Sequence, residues 1–111
     1  MSDVKELERT IELREQEKYN GEVVLKLLNT KAFKEVILDG YVTGNVQSLL
    51  ERLADGNAVD ANVRNQIHRE MEGIAMLQRF LNDALEKGKQ ADSALPGLRE
   101  ELDMARDEEV I

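Results

Sequence analysis

Between Asp60 and Gln90 the apolar residues recur at intervals of three and four. Val63, Ile67, Ile74, Leu77, Leu81 and Ala84 mark the stripe, with Glu70 the one charged residue on the same seam. That is the heptad period of an α-helix turning one face toward a partner helix. Met71, Phe80 and Leu85 widen the stripe. At 1.5 Å per residue, about 30 residues span roughly 45 Å, whereas a compact domain of this size has a radius of gyration of about 13 Å. A helix of that length is expected to pair antiparallel with the first helix and to meet a partner subunit as well.

The rest of the chain agrees with an all-α fold. Charged residues make up 34% of the 111 residues and aromatics 4%, with a single proline, which is the composition of long helices and coiled coils. There is no cysteine, so disulfide scaffolds and thiolate metal sites are excluded. No run of 18 apolar residues exists to cross a membrane. MSDVKELERT is charged from Asp3 onward and has no apolar signal core. A cytosolic or virion-borne location is expected.

Ser2 or Asp3 can cap a first helix over about 3–29. Val4, Leu7 and Ile11 carry its apolar face, Asn20-Gly21 weakens it, and Val23, Val24, Leu27 and Leu28 resume it. Lys31–Leu38 reads as a short helix closed by Gly40 in a left-handed cap, and Thr43 as the cap of a further helix over 44–54. Phe33, Ile37, Gly40 and Tyr41 would then form a packed structural corner. Asp39-Gly40 is also a hairpin signal, but no other strands exist to pair with, and an isolated hairpin is marginal in water. Asp55-Gly56-Asn57 ends the helix over 44–54, and Asp60 caps the long one. Gly88–Ser93 reads as a polar break, after which Pro96 begins a last helix at its first turn, with Leu98, Leu102 and Ala105 as a thin stripe. The expectation is an extended helical hairpin or bundle with two long helices, a short two-helix corner between them and an acidic C-terminal helix. A domain over 1–90 would be followed by an acidic segment over 91–111.

The net charge of −8 is uneven, with seven acidic and two basic residues in 91–111. No basic block exists to neutralise phosphates, so direct nucleic-acid binding is not expected. A helix-turn-helix over 31–54 fails on the same ground, because the helix over 44–54 carries only Arg52. His68 is the only histidine, and it lies between Arg64 and Glu72 on a solvated helix face. One histidine and no cysteine leave too few usual zinc ligands. Counted from Asp55, a calcium loop would need glycine where Asp60 stands and glutamate where Gln66 stands. Phosphate-binding, dinucleotide and nucleophile-elbow motifs are absent. No enzyme activity, metal or cofactor is expected. The DEEVI tail, with Val110 and Ile111 behind acidic residues, reads first as a frayed helix end and second as a docking peptide.

The phrases KAFKEVILDGY, LLERLAD and IAMLQRFLNDAL, following a charged N-terminal helix, resemble those of small uncharacterised helical proteins of tailed bacteriophages encoded among virion-assembly genes. The resemblance covers about residues 5–90 and rests on phrasing and element order, so no functional residue carries over. It implies a non-enzymatic structural or assembly role in a phage particle, exercised through helix-mediated contacts. The partners would be further copies of the chain and other virion proteins. Val63, Ile67, Ile74, Leu77, Leu81, Leu98, Leu102, Val110 and Ile111 would carry those contacts. The alternatives are an acidic phage inhibitor or DNA mimic that binds a host enzyme, and an intracellular coiled-coil adaptor.

Overall fold

The structure is a computed structural model that describes residues 4–54 and 61–110. The caps expected at Ser2 or Asp3 and at Asp60, the stop at Asp55–Asn57, and Ile111 lie outside the described residues. The protein is all-α. A long N-terminal helix leads through a joined corner helix into a long C-terminal helix, and no strand occurs among the described residues.

Helix α1, Val4–Leu28, has an acidic first turn at Glu6 and a basic last turn at Lys26, both complementary to the helix dipole. Thr30 makes the junction that follows. Its hydroxyl donates to the Leu27 carbonyl at 2.8 Å and accepts from the Phe33 N–H at 3.2 Å. One side chain thus closes α1 and opens α2, Lys31–Phe33. Thr30→Ala is expected to cost about 1 kcal/mol, read as a lowered urea midpoint with helical content unchanged.

From α2 the chain continues as a π-helical stretch, Lys34–Thr43, and then as α3, Gly44–Ala54. The expected glycine cap and fresh helix start are not there. Gly40 lies inside the winding and outside the left-handed backbone region. The Gly44 N–H reaches back five residues to the Asp39 carbonyl. At Gly40 and Gly44 an added Cβ would stand 3.3 Å and 3.5 Å from the carbonyl oxygens of Glu35 and Asp39, also five residues back. Gly40 leaves the Glu35 carbonyl room that a side chain would crowd, and the chain winds on where it was expected to stop. Residues 31–54 therefore form one winding and not a helix-turn-helix.

Helix α4, Ala61–Val110, runs for 50 residues. It passes through Gly88–Ser93 and Pro96, where the sequence reading placed a break and a new helix. Pro96 removes one backbone donor, but it is exposed while Leu95 beside it is 1% exposed. Packing of the flanking residues overrides local propensity here.

The chain divides into two compact units, Met1–Leu25 with Asn82–Ile111, and Lys26–Leu81. In the first, Leu7 and Ile11 of α1 pack with Leu95 and Leu102 of α4, and Val4, Leu98 and Ala105 border them. Glu8 pairs with Arg106 at 3.2 Å, Glu15 with Arg99 at 3.4 Å and Lys18 with Asp92 at 3.1 Å. Numbers rise on α1 as they fall on α4, so the two helices are antiparallel. In the second unit, Leu49 of α3 packs with Ile67 and Ile74 of α4, bordered by Val42, Val46, Leu53, Val63 and Met71. Arg52 and Glu70 close that contact at 3.7 Å, which accounts for the one charged residue on the seam.

Candidate protein-interaction site

Most of the apolar stripe expected to face a partner is covered within the chain. Ile67 is 0% and Ile74 4% exposed. Val63, Leu77 and Leu81 are half-buried. Leu102 is buried and Leu98 half-buried, both against α1. The acidic segment is therefore part of a helix pair and not a separate tail. Of the expected corner, Phe33 is buried and Ile37 half-buried, while Gly40 and Tyr41 are exposed. Nothing in the stretch Lys34–Thr43 is buried, because the wider winding does not turn Tyr41 inward. The side chains of Val110 and Ile111 are outside the described residues.

Two residues that the sequence reading missed set the spacing of the first unit. Gly21 and Gly88 are both buried. A Cβ on either would come within 3.0 Å of the Cα of the other, and within 3.1 Å of the Ala84 carbonyl or 3.3 Å of the Glu17 carbonyl. The backbones of α1 and α4 touch at this point. Beside it runs an open groove of about 320 Å³ lined by Lys18, Gly21, Glu22, Leu25, Leu85, Gly88, Lys89 and Asp92. Two lysines and two carboxylates balance its charge. The signal was present in the sequence, since Ala84, Gly88, Ala91, Leu95, Leu98, Leu102 and Ala105 continue the alternation of four and three.

What remains outward is Phe80, which was expected to widen the buried stripe, together with apolar side chains from outside that stripe. Met76 is 64% and Phe80 68% exposed on α4, Leu50 is 53% exposed on α3, and Tyr19 is 60% exposed on α1. The charge is also partitioned. Residues 1–25 and 82–111 hold sixteen acidic and eight basic groups, while 26–81 hold seven of each. The whole net charge thus belongs to the first unit. His68 is exposed, and among the described residues no group of histidine and carboxylate side chains could hold a metal ion. No described helix is long and apolar enough to cross a membrane. No protein-family model, curated protein or solved structure matches the chain.

Proposed function

We propose that this chain is a non-enzymatic structural or assembly protein of a phage particle that works through helix-mediated contacts with further copies of itself and with other virion proteins. The supporting observation is the set of large apolar side chains left outward after both internal seams are closed. Leu7, Ile11, Leu95 and Leu102 cover one another, as do Leu49, Ile67 and Ile74, yet Met76 and Phe80 stay about two-thirds exposed. Exposed apolar surface of that kind marks protein contact sites. Absolute mass by light scattering on a sizing column, over a hundredfold range of concentration, tests the reading. A single closed oligomer is the expected result. A monomer of 12.6 kDa at every concentration would count against it.

One observation favours the acidic-inhibitor alternative. The residues of the first unit together carry the whole −8, more than the C-terminal segment alone. Tight binding to a host nucleic-acid enzyme that weakens steeply with salt would mark that alternative.

A further inference from the structure

The face of α4 that carries Met76 and Phe80 is unpartnered among the described residues, and its pattern is self-complementary. Gly21 and Gly88 show what a helical glycine does in this protein: it lets a second helix come into backbone contact. Gly73 has no such use inside the chain, because a Cβ there would meet nothing within 4 Å. In an exposed helix interior glycine costs about 1 kcal/mol relative to alanine. Gly73 and Phe80 are seven residues, or about two turns, apart and therefore share one face, with Met76 and Leu77 between them. The result is a notch and an aromatic knob on one line, separated by two turns.

We infer that a second copy of this chain docks on this face, with the two α4 helices antiparallel about a two-fold axis crossing between Met76 and Leu77. In that register Phe80 of each copy lies over Gly73 of the other, as an isologous contact requires. Met76 meets Met76 beside the axis. The flank is complementary too. Glu72 and Arg79 lie on one edge of the face, and neither makes an ion pair among the described residues. The antiparallel register sets Glu72 of each copy within ~3 Å along the axis of Arg79 of the other. Charge also selects this unit for self-association. Residues 26–81 have no net charge, whereas pairing through the first unit would bring two bodies of −8 together. Gly97 is as open as Gly73, but it lies in that acidic unit next to Glu100 and Glu101.

The inference rests on the assembly reading and names the surface that the first association step uses. The test exploits the absence of cysteine in the chain. Met76→Cys supplies a single thiol at an exposed position and should leave folding intact. Under mild oxidation it is expected to give a covalent two-chain species in high yield, while Leu13→Cys and Met104→Cys, also at exposed positions, do not. Glu72→Arg should raise the dimer dissociation constant at least tenfold, and Glu72→Arg combined with Arg79→Glu should restore it, because the swap re-forms the pair with its signs exchanged. An oligomer by light scattering with no cross-link in the Met76→Cys variant, or a double swap that fails to restore association, overturns this face but leaves the assembly reading standing. A wild-type monomer at every concentration overturns both and leaves the face to a different protein.

Discussion

Gly88→Leu is expected to separate α1 from the second half of α4. A Cβ at this position already stands 3.0 Å from the Gly21 Cα, and backbone cannot move aside as a side-chain tip can. Overpacking of this kind costs up to about 3 kcal/mol where the site yields, and more where it does not. Leucine also gains about 1 kcal/mol of intrinsic helix preference over glycine, so the measured loss is net of that gain. Gly97→Leu provides the contrast. Nothing lies within 4 Å of a Cβ at Gly97, and the same propensity gain should there appear alone, raising stability by up to about 1 kcal/mol. Urea unfolding followed by far-UV circular dichroism, at one fixed protein concentration, should give the two variants opposite signs. Equal effects would mean that the contact between Gly21 and Gly88 does not set the spacing.

Ile67→Ala is the second large effect. Ile67 is 0% exposed and packs with Leu49 and Ile74, so truncation removes buried methyl and methylene groups and leaves a cavity. Substitutions of this kind cost about 2–5 kcal/mol, and the central position of Ile67 places the expected value in the upper half of that range. The dependence on concentration carries further information. Because α3 of the same chain covers Ile67, the loss should be the same at low and high protein concentration. A loss that grows as concentration rises would mean that the cover comes from a second copy, since the substitution would then weaken association itself.

The helical character was legible because a period of three and four residues has few other solutions. The stripe from Val63 to Ala84 marked the face that the structure buries. Its partner was harder to read. Val46, Leu49 and Leu53 look much the same whether they cover Ile67 in the same chain or in another, and periodicity does not say whose helix fills the seam. The break assigned to Gly88–Ser93 came from treating glycine as a stop signal. Gly88 and Ala91 are small because a helix passes close by, and the unbroken phase through Leu95, Leu98, Leu102 and Ala105 is the stronger signal. Pro96 misled for a similar reason: its local cost is outweighed by Leu95 and Leu98 on the seam. The widened winding at Lys34–Thr43 had no readable precursor, because Asp39-Gly40 is compatible with a cap, a hairpin or a π turn.

The first unit is discontinuous, and this fixes an order of events during synthesis. Leu7 and Ile11 leave the ribosome early, while their cover, Leu95 and Leu102, is made only after the whole of Lys26–Leu81. Residues 26–81 hold Leu49, Ile67 and Ile74 within one continuous segment and can close first. Until the last turns of α4 arrive, α1 carries an uncovered apolar stripe that is open to neighbouring chains. Synthesis through Leu102 is thus the step that withdraws α1 from premature association, and a chain shortened before Leu95 would keep that stripe exposed.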